Sequence, residues 1–385
     1  MDAAIVGVGM HHFGRHDGVS ALDMGAVAVR NALADAGVDW SQMQFAFGGS
    51  YGTVLHGSAM PDALVSRLGL TGVPFTNVTN ACATGGSALS LAAASVISGQ
   101  YDIGIAVGFD KHPRGHFNLS PEGNGIGEWY GESGLMVTTQ YFALKINRYL
   151  HEHGISPDVL AAVSAKNFAN GALTPHAWRR TPFTEAEVAE AAVLNYPLTQ
   201  YMFCSPCEGA AAAVVVRADH AHRFTNRPIY VRGTSVRTRR YGSFEVFSPS
   251  LAAERSDSPT VDAAMAAYEM AGIGPEDVDV AQLQDTDAGA EVIHMAEVGF
   301  CKHGEQEELI RSGETKIGGR LPINTDGGLM ANGEPIGASG LRQVYELVQQ
   351  LRGTAGDRQV PGDPQVGLAQ VYGVPGTAAT VVLSR

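Results

Sequence analysis

Two stretches of this chain occur twice, in the same order, and that duplication restricts the fold more than any other feature. Residues 34–47, ADAGVDWSQMQFAF, match residues 269–282, EMAGIGPEDVDVAQ; each reads as a helix end, an Ala-Gly stop, a polar turn and a strand. Further on, NACATGGSALS at 80–90 matches NGEPIGASGLR at 332–342, with Asn, Gly, Ser and Leu coinciding at four of eleven positions. Each half therefore reads as strand, helix, strand, a Gly-rich turn into a long helix, and a further strand such as 103–107 or 366–371. Alternating strands and helices imply sheets covered by helices, an α/β fold. The halves are expected at 1–222 and 223–385. The segment LSLAAASVIS after Cys82 is apolar nearly all round, which predicts a helix between layers rather than on a surface. Between the copies, about 111–200 breaks the pattern with Gly, Pro, aromatics and His, and is expected to be an inserted loop region over the site.

Composition narrows the function. With 45% hydrophobic and 17% charged residues over 385 positions, the chain has ample material for a buried core. Its net charge of -13 has the wrong sign for a phosphate-backbone binder, which excludes nucleic acid as the expected partner. The most apolar runs, 88–97 and 210–216, are about half the length that spans a bilayer. Met1 leads almost directly into the strand-like AAIVGVG with no charged leader, so a soluble cytoplasmic protein without a membrane span is expected.

Four cysteines in a chain this long make no disulfide framework, which leaves room for a chemical role. Cys82 stands just before the turn that opens the buried helix. There the positive end of the helix dipole and free N–H groups would lower its pKa and favour the nucleophilic thiolate, making it the most reactive thiol. The equivalent position in the second half is Glu334. If a pseudo-twofold axis relates the halves, two helix N-termini converge and set a thiol opposite a carboxylate, and Glu334 is pushed toward neutrality. The CxxC of Cys204 and Cys207 lacks a second pair at zinc spacing and reads as structural. His151 and His153 read as a solvated helix end, and His112 and His116 as loop residues. GVGMHHFG lacks dinucleotide-binding spacing.

Several of these strings resemble one family. NACATGGSAL followed by AVGFDK is similar to the nucleophile segment of thiolases, the sterol-carrier-protein type above all. INTDGG, NGEPIGASG, VGFCKHGE and GRLPINTDGG are similar to the family's C-terminal motifs, so the resemblance covers nearly the whole chain. It implies a five-layered αβαβα fold, a homodimer paired through an edge strand of the first half, and action on acyl-CoA thioesters as substrates with no cofactor and no metal. It further implies that Cys82 forms an acyl-enzyme, that its N–H and that of Gly376 hold the thioester oxyanion, and that Asn324 orients a water or the carbonyl. Gln284, Gly337 and Ser339 fall on the substrate side. The sequence departs from the family where Glu334 replaces a His and Gln284 a second His, so Glu334 becomes the expected proton carrier. The C-terminal Cys-containing segment of better-known thiolases is missing. Two other readings stay open: retro-aldol cleavage of a CoA ester, for which relatives resemble users of tyrosine at positions 284 and 334, and a non-catalytic acyl-CoA or lipid carrier or scaffold subunit with a small OB-fold and zinc-ribbon partner.

Overall fold

The computed structural model describes residues 2–51, 60–113, 121–122, 127–135, 137–243, 256–374 and 376–385. The duplicated sequence becomes a duplicated order of elements. In the first half a Ser20 hydroxyl accepts from Asp23 N to open the helix Ala21–Ala36, and Gly37 closes it at φ 67°. In the second, Ser258 accepts from Val261 N to open the helix Pro259–Ala271, and Gly272 closes it at φ 70°. Glycine is placed at both stops because the left-handed conformation carries no Cβ clash there. A single 3-10 turn and a short strand follow in each case, Ala46–Gly49 (β2) and Val280–Leu283 (β9).

The first half contributes Ala3–Gly14 (β1), β2, Phe75–Val78 (β3), Ile103–Lys111 (β4) and Glu208–Arg217 (β7). The second contributes Ile229–Thr238 (β8), β9, Val366–Gly373 (β10) and Thr377–Ser384 (β11). They form one mixed sheet in the order β3-β2-β4-β7-β1-β8-β11-β10-β9. The halves meet where β1 pairs antiparallel with β8, Ala4 opposite Tyr230. Reading outward from that seam, each half runs antiparallel, antiparallel, then parallel. The place of β3 is taken in the second half by a parallel bridge between Ala281 and Ile323.

Side chains alternate along the inner strands as a sheet covered on both faces requires. Ala211, Ala213 and Val215 of β7 face the centre with Leu89, Val96, Leu341 and Val348. Ala210, Ala212, Val214 and Val216 face out onto the Ala21–Ala36 helix. Between the two halves lie the helices Thr84–Ile97 and Ser339–Arg352, giving the αβαβα layering. Their entry turns touch backbone to backbone. A Cβ on Gly85 would stand 2.8 Å from Leu341 N, and one on Gly340 2.7 Å from Gly86 N, so only glycine allows this approach. The Thr84–Ile97 helix is less enclosed than its composition suggests: its first turns are buried, but Leu91, 43% exposed, lies on a face that emerges from the layer.

The inserted region is not a loop where it is described. It holds the helices Glu128–Glu132, Thr138–His153, Val159–Ala172 and Glu185–Ala189 and a small hairpin, Val193–Asn195 (β5) with Leu198–Thr199 (β6). Phe142, Ile146 and Leu150 recur every fourth residue along Thr138–His153 and pack into the second-half core with Val292 and Ile293. Its Gly- and Pro-rich flanks had obscured that stripe. No helix among the described residues is long and apolar enough to cross a membrane.

Candidate active site

The two glycine-tight entry turns carry the candidate chemistry. Ala81 holds φ 47°, a left-handed conformation that costs a non-glycine residue about 1 kcal/mol. Its repeat mate Gly333 takes φ 80°. The chain kinks at the same point in both copies, one residue before Cys82 and one before Glu334. Thr84 fixes the first kink, its Oγ1 accepting from Asn80 N at 2.8 Å and donating to Ala81 O at 2.6 Å. The second is fixed by the 204–207 loop: Glu334 N donates to Ser205 O at 2.9 Å and Cys207 N to Glu334 O at 3.3 Å.

The structure brings Cys82 and Glu334 together, close enough for the thiol and the carboxyl to act on each other's ionisation. Glu334 is 1% exposed, and two donors converge on it: Gln284 Nε2 on Oε1 at 2.9 Å and Cys204 Sγ on Oε2 at 3.3 Å. Cys204, read from sequence as structural, therefore stands in the site. Its partner Cys207 keeps the structural role, its thiol on Asn332 O at 3.7 Å and 2.7 Å from where a Cβ on Gly333 would lie.

Burial and the facing Glu334 carboxyl push the Cys82 thiol well above its usual pKa, with Asp110 adding to the effect. This reverses the lowering expected from the helix end. Withdrawal from water and two carboxylates outweigh a partial dipole charge. Burial also raises the Glu334 carboxyl, while the neighbouring Cys82, Cys204 and Gln284 side chains pull the other way. The thiol thus stays protonated until a base takes its proton, and the adjoining base is Glu334.

The other sequence candidates fall in different places. Gly376 donates its N–H to Gly373 O at 2.8 Å and accepts from Arg239 N at 3.0 Å, so its amide is engaged in the hairpin turn. The glycine against the nucleophile is Gly373, where a Cβ would lie 2.9 Å from Cys82 N and 2.8 Å from Asn80 O. Pro375 lies outside the described residues. Asn324 is buried with Oδ1 accepting from Leu283 N at 3.0 Å and Nδ2 donating to Glu291 at 2.7 Å, within a network that includes the buried Lys166–Glu291 pair. Gly337 and Ser339 are interior. Gly337 N donates to Asp110 at 2.5 Å and Ser339 Oγ to Pro335 O at 3.3 Å, so both brace the turn that presents Glu334. His112, a loop residue by sequence, is buried and accepts from Ile336 N at 3.1 Å in the same brace. His116 lies outside the described residues, and His151 and His153 end a helix at Gly154 as expected.

Gln284 also opens onto a pocket. Its apolar wall is Phe142, Ile146, Ala290 and Ile293, its polar members Lys145, Thr286, Asp287, His294 and Tyr372. The charged groups are largely occupied: His294 Nδ1 meets Glu297 at 2.6 Å, Asp287 caps its helix through Gly289 N and Ala290 N, and Lys145 lies 4.7 Å over the Tyr372 ring. Among the described residues no group of three or more His, Cys, Asp or Glu is arranged to hold a metal ion.

Residues 3–185 match the family described as the thiolase N-terminal domain, and residues 250–385 the thiolase C-terminal domain-like family. An acetyl-CoA acetyltransferase of Methanothermobacter thermautotrophicus is 33% identical over 397 residues, covering 100% of both chains. Sterol carrier protein 2 of Gallus gallus is 32% identical over 93% of this chain and 67% of its own. Among solved structures, the Ltp2-ChsH2(DUF35) aldolase is similar at a TM-score of 0.87 and 25% identity, covering 100% of this chain and 97% of that one. Matched in both halves and along its whole length, the chain belongs to the thiolase family.

Proposed function

We propose that the protein is an acyltransferase acting on acyl-CoA thioesters through an acyl-Cys82 intermediate, with Glu334 as the proton carrier. The observation that supports it is the placing, at two repeat-related turns, of the Cys82 thiol beside a Glu334 carboxyl that is buried, raised by that burial and held by Gln284 at 2.9 Å and Cys204 at 3.3 Å. As the Cys82 S–C bond forms, its proton passes to Glu334 and the thioester C–S bond breaks. The departing CoA thiolate then takes that proton and leaves as free thiol. Dividing the transfer into two thioester exchanges lowers the barrier to each. The Cys82 N–H holds the oxyanion, and Gly373 leaves the space beside it open. Gln284 orients Glu334, the pocket beyond Gln284 takes the acyl group, and Asn324, Gly337 and Ser339 hold the surrounding frame. The test is rapid-quench acylation of wild type, Cys82→Ala and Glu334→Gln. Acylation should disappear in the first variant and slow by about 10²- to 10⁴-fold in the second.

One observation favours a second reading, retro-aldol cleavage of a CoA ester: the likeness to an aldolase over the whole chain. That chemistry needs no acyl-cysteine, so a Cys82→Ala protein that still cleaves its substrate would select it. The same relative's name pairs it with ChsH2, a DUF35 protein, and by analogy a small OB-fold, zinc-ribbon subunit is the partner we infer for this chain. The exposed β3 edge, with Thr76 and Asn77 outward, is the inferred homodimer seam.

A further inference from the structure

Resting on the reading that Glu334 accepts the Cys82 proton, we propose that Cys204 is a positioning residue of the same reaction. Its thiol is the hydrogen-bond donor that keeps Glu334 ready for a proton in the half-reaction in which Cys82 has none to give.

Glu334 accepts from two neutral donors and has the Cys82 thiol beside it, and the three differ in permanence. Gln284 Nε2 on Oε1 at 2.9 Å is fixed by its second bond, to Thr286 Oγ1 at 2.9 Å. Cys204 Sγ on Oε2 at 3.3 Å is fixed by its own backbone, whose N–H donates to Thr286 O at 2.8 Å, and by the bridge between Phe203 and Asp287. The short segment from Gln284 to Asp287 thus anchors both. Cys204 is 4% exposed, so no water competes freely for its proton. The Cys82 thiol beside it also favours the Glu334 carboxylate, but only in the free enzyme, where it carries a proton. Other ionisable groups act on this cluster from further off: Asp110 on Cys82, Asp285 on Cys204, Arg342 on Glu334, and Arg179 on Cys204.

The proton inventory shows when Cys204 matters. In acylation the Cys82 proton moves to Glu334 and leaves on the CoA thiol, so Glu334 is again a carboxylate while Cys82 is now a thioester without S–H. In deacylation the acceptor, a thiol or a carbon acid, gives its proton to Glu334 and bonds to the acyl carbon. The acyl-cysteine C–S bond breaks, and the Cys82 thiolate recovers the proton from Glu334. During this second half Glu334 has two donors with Cys204 and one without it. A buried carboxylate that loses a donor holds its proton more tightly. Removing Cys204 should therefore raise the pH below which the enzyme stops working, more in deacylation than in acylation.

The experiment measures both half-reactions across pH by rapid quench, following adduct formation and its discharge, in wild type, Cys204→Ala, Cys204→Ser and Glu334→Gln. In Cys204→Ala the acid limb of deacylation should move up by about 0.5–1 pH unit, the worth of a weak donor to a buried charge, with a smaller move in acylation. Cys204→Ser, which keeps a donor, should place the deacylation limb at or below the wild-type position. If the alanine variant does not fold, the serine variant carries the test, and an upward move in it overturns the proposal. An unmoved deacylation limb in folded Cys204→Ala overturns it as well, as do equal moves in both half-reactions shared by alanine and serine, which are the mark of packing. Should Glu334→Gln keep the wild-type acid limb, the underlying proton-acceptor reading fails, whatever Cys204 does.

Discussion

Replacing Glu334 with Gln should make the protein slower and more stable at once. The substitution keeps the shape of a side chain that is 1% exposed, and the Gln284 amide at 2.9 Å can still donate to the remaining carbonyl oxygen. What disappears is the group able to take the thiol proton. Loss of a positioned base is worth about 10²- to 10⁴-fold in rate. The stability effect has the opposite sign. Burial raises the Glu334 carboxyl in the folded state, so the folded protein binds that proton more tightly than the unfolded chain does. Stability then falls as pH rises from the unfolded pKa toward the folded one, by about 1.4 kcal/mol for each unit of upward shift. Glutamine carries no such penalty. Thermal melts should show Glu334→Gln above wild type at pH 8, by a few degrees at most for a chain of this size, with the gap narrowing toward pH 5. Rapid-quench acylation on the same samples supplies the rate. A variant with the wild-type acylation rate would refute the proton-acceptor role and leave Glu334 as a helix-entry cap. A slow variant that melts below wild type at every pH would trace the defect to packing instead.

Three other outcomes follow from the geometry. Gly373→Ala should lose at least about 10-fold in acylation with about 1–3 kcal/mol of destabilisation, because its Cβ would strike Cys82 N at 2.9 Å and the Asn80 carbonyl at 2.8 Å, backbone atoms that cannot swing aside; an unaffected rate would remove Gly373 from the site. Asp287, a fully buried helix cap, is pushed up to about 7 by burial, so wild-type stability should decline between pH 4 and 7 by an amount of order 4 kcal/mol that Asp287→Asn, which can still accept from Gly289 N and Ala290 N, does not show; parallel denaturation curves for the two proteins across that window would contradict the assignment. Sedimentation at micromolar concentration should give twice the 40.4 kDa chain mass, whereas a stable monomer would leave the β3 edge without its inferred partner.

Much of this is legible in the sequence, and for identifiable reasons. The duplicated Ala-Gly stops and the two Asn-to-Leu segments mark residues whose backbone geometry leaves little freedom, so the repeat of elements and the meeting of Cys82 with Glu334 could be inferred from symmetry. Cys204 could not. Its contact with Glu334 spans 130 residues and depends on an isolated bridge between Pro206 and Glu334, and the only signal was a CxxC that zinc spacing argued against. Gly373 was not legible either: it and Gly376, the glycine that the resemblance implies, belong to one hairpin. Only the strand register, Gly373 opposite Thr377, shows which lies against the nucleophile and which closes the turn. The direction of the Cys82 shift was not legible because burial of the thiol, first, and the facing Glu334 carboxyl, second, outweigh the helix end, and sequence reports only the helix end.

The acyl-cysteine itself is the most direct test. The protein is incubated with acetyl-CoA and a panel of longer acyl-CoA thioesters, quenched in acid, and examined by intact mass and peptide mapping. A single acyl adduct is expected on Cys82, with one free CoA thiol released per adduct, none on Cys204, Cys207 or Cys301, and no adduct in Cys82→Ala. Thioester that binds without acylating Cys82, or an adduct that forms on Cys204 instead, would contradict the nucleophile assignment and favour the carrier or aldolase reading.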